Sequence, residues 1–129
     1  MRAEPVEGSA GAGHFAWAIR VTPHRGVTCE LRGYPGVSLV DAAGRQLGAA
    51  ADRDSGSAPD LRLESPRSAV ATVLVTQAAN YAPACTIVES AGWRVYLPDQ
   101  FDAVTVPARL SACVEGSIHL LRVRPFAVG

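Results

Sequence analysis

The sequence predicts an all-β domain built as a two-sheet antiparallel sandwich. Three observations carry that expectation. Apolar and polar residues alternate with period 2 in one segment after another, the signature of strands with one buried face. The segments are short and separated by turn chemistry, with 12 Gly and 9 Pro in 129 residues. No segment shows the 3.6-residue spacing of a long amphipathic helix.

Taken in order, residues 1–13 hold Gly, Ala and Glu without periodicity. They read as a flexible lead-in, so a single domain is expected over 14–129. Phe15, Trp17, Ile19 and Val21 then alternate with His14, Ala16, Ala18 and Arg20 as a half-buried strand. Pro23 stops it, because proline has no N–H for a ladder. Val27, Cys29 and Leu31 repeat the pattern inward, with Thr28, Glu30 and Arg32 facing water. Gly33-Tyr34-Pro35-Gly36 is a turn: Pro35 fixes its own φ, and Gly36 tolerates the positive φ of a type II turn. Val37 to Asp41 is the next strand, Asp41 to Gly44 a short hairpin loop, and Arg45 to Gly48 the return.

Residues 49–60 are small, charged and Pro-containing, which predicts the longest loop, with Asp52, Asp54 and Asp60 solvated. Leu61 and Leu63 resume alternation, and Ser65-Pro66-Arg67 turns the chain. Residues 68–76 are apolar on both faces, which predicts a central strand or one whose outer face is covered. Residues 77–86 read as loop. From Trp93 to Leu97 the pattern puts Trp93, Val95 and Leu97 inward and Arg94 and Tyr96 outward, with Pro98 and Asp99 ending the strand. Ala103 to Val106 is short, and Pro107 marks an edge. Ile118 to Arg124 closes the domain, Leu121 and Val123 opposing Arg122 and Arg124. Trp93 follows Cys85 rather than standing between two well-placed Cys, so the immunoglobulin pattern is absent and only the architecture is expected to be immunoglobulin-like.

Composition bounds the function. A chain of 129 residues that is 48% hydrophobic and 19% charged can bury a core as one domain. Its formal net charge is zero, which argues against a nucleic-acid or anionic-membrane binder. No apolar run approaches the roughly 20 residues of a membrane span. The first 13 residues lack the basic-then-apolar pattern of a signal peptide. All 12 basic side chains are Arg. The plain reading is a GC-rich genome. The functional reading is anion recognition by planar guanidinium forks, which requires several Arg to converge in space.

The candidate chemistry is sparse. Cys29, Cys85 and Cys113 are widely spaced, which excludes zinc-ribbon and CxxC redox motifs. Cys85–Cys113 is the preferred bridge, because both lie just outside predicted strands in the C-terminal half. Cys29–Cys85, Cys29–Cys113 and three free thiols stay open as alternatives. Cys29 shares an apolar face with Leu31 and reads as a buried, inert thiol. His14, His24 and His119 lie on separate segments without metal-ligand spacing, so no metal and no cofactor is expected. There is no G-x-S-x-G, since Gly36-Val37-Ser38-Leu39-Val40 lacks the closing Gly, and no phosphate-cradling loop. Tyr34 and Pro35 are contact candidates at their turn, more readily read as holding the backbone. Arg94, Tyr96, Arg122 and Arg124 form a charged, stacked strip if their strands are neighbours.

Cys29-Glu30-Leu31-Arg32-Gly33-Tyr34-Pro35-Gly36-Val37-Ser38-Leu39-Val40-Asp41, followed by Gly44, resembles the C-x-L-x-G-Y-P-G-V-x-L-x-D-x-x-G block of the DUF4232 family. Pro66, Ser68-Ala69, Cys85, Val95-Tyr96-Leu97-Pro98 and Cys113 add weaker matches over roughly residues 13–125. The resemblance implies a β-sandwich of exported or lipid-anchored actinobacterial type. It implies no reaction. Members carry an earlier strand opening with a Cys, which this sequence lacks, so the family's first strand is expected to be missing and one sheet edge bare.

These readings give a non-catalytic interaction or structural module of the cell envelope, binding a protein or other envelope component. A homodimer through the bare edge strand is one form of it. The alternative is a small-ligand binder with a pocket between loops 49–60 and 77–92, lined by Trp93, Tyr81 or Tyr34. A hydrolase is the weaker alternative, since it needs a His against a Ser or Cys with an orienting acid.

Overall fold

The computed structural model describes residues 2–11, 14–54, 60–97 and 103–129. Its strands are β1 (Arg2–Gly11), β2 (His14–Thr22), β3 (Thr28–Arg32), β4 (Gly36–Val40), β5 (Gln46–Leu47), β6 (Asp52–Arg53), β7 (Asp60–Glu64) and β8 (Ala69–Thr76). After a single 3-10 turn at Ala78–Tyr81 come β9 (Ile87–Glu89), β10 (Gly92–Tyr96), β11 (Ala103–Pro107), β12 (Ser111–Cys113), β13 (Leu121–Val123) and β14 (Ala127–Val128). The protein is all-β, and its sheets do not close into a barrel. The larger sheet runs β1-β2-β8-β13-β6, with β14 also on β8; the second runs β11-β10-β4-β5. Two-stranded ribbons β3-β7 and β12-β9 complete it.

Alternation explains the core. In β8 the residues Ala69, Ala71, Val73 and Val75 are fully buried while their neighbours are half-buried, so the strand apolar on both faces is central, between β2 and β13. In β10 Trp93 and Val95 are buried and Tyr96 is exposed, as the alternation requires. Both larger sheets feed one buried cluster, and the rings of Trp17 from β2 and Trp93 from β10 meet edge-on at 6.3 Å. Ser90 is buried among them and is satisfied twice: its hydroxyl donates to Ala108 O at 2.7 Å and accepts from Leu110 N at 3.0 Å.

Several expectations are corrected. Residues 2–11 are not a lead-in: β1 pairs antiparallel along β2 from Arg2↔Thr22 to Gly11↔His14, with a register shift between Glu7 and Ala10. The β2 edge expected to be bare and open to a second copy is therefore covered. A ladder is made by backbone groups, so β1 needs no alternation of side chains, and Pro5 is compatible with its edge position. The turn at 33–36 carries the chain from one sheet to another, since β3 pairs β7 while β4 pairs β10 and β5. The positive φ falls on Gly33 (+74°), and Gly36 begins β4, where a Cβ would lie 3.4 Å from the Tyr96 Cβ. Val27 is exposed rather than inward, because it lies in the turn before β3. The loop 49–60 contains β6, which pairs parallel with β13, and Asp60 opens β7. β9, β12 and β14 carried too few alternating residues to be read. Pro98 and Asp99 lie outside the described residues.

Cys85 and Cys113 form a disulfide with Cα atoms 5.1 Å apart, and Cys29 is free and half-buried opposite Leu63. Beside the bridge, Thr86 N–H and hydroxyl donate to the two Glu115 oxygens at 2.8 and 2.6 Å. The hydroxyl bond, then the N–H bond, hold the Glu115 carboxyl below the ordinary carboxylate range. A depressed folded-state pKa means stabilisation that is present at neutral pH and disappears as pH falls through that pKa. Glu115→Ala is therefore expected to melt below the wild type at neutral pH, and the two melting curves to converge as the solution is acidified through the carboxylate range. Thermal melts across pH check this; a constant gap would contradict it.

Candidate binding groove

Strand pairing builds one groove that joins the two loops named for a ligand. β13 lies between β8, with Leu121↔Val75 and Arg122↔Leu74, and β6, with Arg122↔Asp52. Thr76 N–H donates to Leu120 O at 2.8 Å, and the 3-10 turn then brings Asn80 and Tyr81 back over the end of β13. The resulting groove of about 550 Å³ runs along Leu74, Val75, Leu120 and Leu121, of which Val75, Leu120 and Leu121 turn their side chains into the core. Its polar rim includes Asp52, Tyr81, His119 and Arg122. That volume falls within the range of small-molecule sites.

The rim is held by its own contacts. His119 Nδ1 stands 3.0 and 3.2 Å from the two Asp52 oxygens. The Tyr81 hydroxyl donates to His119 O at 3.3 Å. Arg122 and Arg124 flank Asp54, with N–O separations of 3.9 and 3.6 Å, and Asp54 N–H donates to Val123 O at 2.8 Å. The carboxylates expected to float in a loop are thus placed by β6. Asp52 and His119 reproduce the acid-and-imidazole half of a hydrolytic triad. Among the described residues no hydroxyl or thiol side chain hydrogen-bonds the ring. The described residues also contain no group of three or more metal-ligating side chains.

The other predicted contact residues go elsewhere. Of the six, only Tyr81 lines the groove. Trp93 is fully buried and is a core residue, not a contact: its inward alternation places it against Trp17. Pro35 is buried, and Tyr34 is pinned. The Tyr34 hydroxyl donates to Asp54 O, the Arg53 guanidinium lies 5.4 Å from its ring centre, and Phe126 N–H donates to Gly33 O at 3.0 Å. The block thereby ties β3, β6 and the C-terminal segment together. Arg94 braces the β4–β5 hairpin, its Nη2 donating to Gln46 Oε1 at 2.8 Å and Nη1 to Gly44 O at 3.4 Å. The strip of Arg94, Tyr96, Arg122 and Arg124 does not form, because β10 and β13 belong to different sheets. Asp52, His119 and Arg122 were missed as a set, since only the parallel β6–β13 pairing unites them, and no local pattern signals a two-residue strand.

Fold and groove together define an all-β domain with one disulfide, a shared core and a polar-rimmed surface cleft. Among the described residues no helix is long and apolar enough to cross a membrane. The chain belongs to the DUF4232 family, a domain of unknown function, whose signature matches residues 2–127. The match begins within β1, so the N-terminal strand is part of the domain. No curated protein and no solved structure matches this chain.

Proposed function

We propose that the domain is a non-catalytic interaction module of the cell envelope, an immunoglobulin-like β-sandwich that presents the Asp52–His119–Tyr81–Arg122 groove to an envelope partner. The observation that carries this reading is the groove itself: preformed and rimmed by hydrogen-bonding groups that constrain one another. The sandwich reading is supported by antiparallel ladders in both larger sheets and by their common core. The envelope reading is supported by the Cys85–Cys113 bridge, which belongs to oxidising compartments. A small ligand in the same groove is the second reading, favoured because the cleft joins residue 52 to residues 80 and 81 where a ligand pocket was expected.

The test is retention of envelope components by the immobilised full chain, with a His119→Ala/Arg122→Ala double variant as reference. A component held by the wild type and lost by the variant supports the proposal, and its mass separates a macromolecular partner from a small ligand. Ester or amide hydrolysis that depends on His119 would overturn it, as would retention indifferent to the double substitution.

A further inference from the structure

A second cleft lies between two turns and is basic, without the carboxylate that the first groove carries at Asp52. The β2–β3 turn is tight: Val27 N–H donates to His24 O at 2.9 Å, and Gly26 takes φ +80° where it presents no side chain. The β7–β8 turn is closed by Arg67 N–H donating to Glu64 O at 2.8 Å. Between them is a notch of about 520 Å³ whose walls carry Arg20, His24 and Arg25 together with the hydroxyl residues Thr22 and Ser65; Ser68 and Gly129 also line it, the Ser68 hydroxyl donating to Gly129 O at 3.1 Å. None of the described lining residues is acidic. Glu64 sits at the foot of the second turn. Arg25 is exposed, with no carboxylate in ion-pairing range among the described residues.

This is the convergence that an all-Arg complement of bases leaves open. We propose that the notch binds a phosphate group carried by a small molecule or by an envelope polymer or lipid. Guanidinium forks and hydroxyls are donors matched to phosphate oxygens. Arg25 and Ser65 belong to the two different turns that wall the notch, and a tetrahedral group can accept from both, whereas a planar carboxylate meets donors mainly along one edge. The notch is large enough to admit an organic substituent beside the phosphate. A zero net charge is consistent with recognition of one group at one place, as opposed to tracking of a polyanion.

The experiment is titration of the isotopically labelled full chain, followed by amide shifts, with inorganic phosphate, glycerol 3-phosphate and, at matched ionic strength, acetate. Saturable shifts confined to residues 22–26 and 65–68 are expected with both phosphates, about tenfold weaker with acetate. Arg25→Ala, in an exposed turn side chain, is expected to weaken binding about tenfold, Arg25→Lys less, and Arg109→Ala on a different surface not at all. Co-sedimentation with phosphatidylglycerol vesicles, competed by glycerol 3-phosphate and absent with phosphatidylcholine vesicles, identifies a lipid source. Glycerol 3-phosphate binding without vesicle binding identifies a soluble or polymeric one. No saturation, equal response to acetate, or an unchanged response in Arg25→Ala would overturn the proposal.

Discussion

Replacing Trp93 by Ala is expected to cost about 3–5 kcal/mol of folding stability, the range for removing a large aromatic from a packed core. Trp93 is fully buried and is the largest such side chain. It stands in β10 between β4 and β11, with Leu39 and Val106 as its cross-strand partners, and it meets Trp17 of the other large sheet. Its removal therefore opens a cavity where the two sheets meet, and neither ladder can close it without giving up hydrogen bonds. Against a typical domain stability of about 5–15 kcal/mol, a loss of that size leaves little reserve. Trp93→Phe is expected to cost much less. The indole Nε1 is buried without a hydrogen-bond partner, so Phe discards an unsatisfied donor along with the lost area. Denaturant unfolding of both variants checks the pair; an Ala variant within about 1 kcal/mol of wild type would mean that Trp93 is not a core residue.

The second large effect is expected from Cys85→Ala/Cys113→Ala. The bridged residues are 28 apart in sequence, and the chain-entropy relation gives about 3–4 kcal/mol for a loop of that size. The loss should also be visible locally. The bridge fastens the three-residue strand β12 to the chain just before β9, a ribbon that otherwise relies on a short ladder and on the Glu115–Thr86 contacts. Hydrogen exchange at Val114, whose N–H donates to Thr86 O at 3.0 Å, should accelerate more than exchange at Val73 in the centre of the larger sheet. Cys29→Ala serves as the control and should leave the Val114 rate as it is, because that thiol is free.

The strands that could be read in the sequence are those whose faces differ in solvent exposure. β2, β3, β7 and β10 alternate because one side enters the core, where Ile19, Val21, Leu31, Leu63, Trp93 and Val95 are buried, while Cys29 and Leu61 are only half-buried. β1 could not be read this way, since an edge ladder is satisfied by backbone groups whatever the side chains. The two-residue strands β5, β6 and β14 are too short to show a period. Turn chemistry was legible where a side chain closes the loop: Asp41 Oδ1 accepts from Ala43 and Arg45 N–H, both at 2.9 Å, at the predicted hairpin. At Gly33–Gly36 it marks a turn but puts the positive φ on the wrong glycine, since Gly33 takes it and Gly36 enters β4.

The two clefts were harder still. His119 and Asp52 are 67 positions apart, and each is unremarkable beside its sequence neighbours. Arg20 and Arg25 meet Ser65 and Ser68 only because two separate turns come together at one notch. Tyr81, a contact candidate, lines the groove, whereas Trp93, a candidate by its chemistry, is placed inside by its alternation.

The central claim is that the two larger sheets enclose one core and so hold both clefts on a fixed frame. Proton–proton cross-relaxation between the Trp17 and Trp93 indole rings tests it most directly. Ring centres 6.3 Å apart and edge-on predict strong cross-peaks between the two indoles in the native chain. A well-dispersed spectrum of the folded protein in which the two rings show no mutual cross-peaks would contradict it.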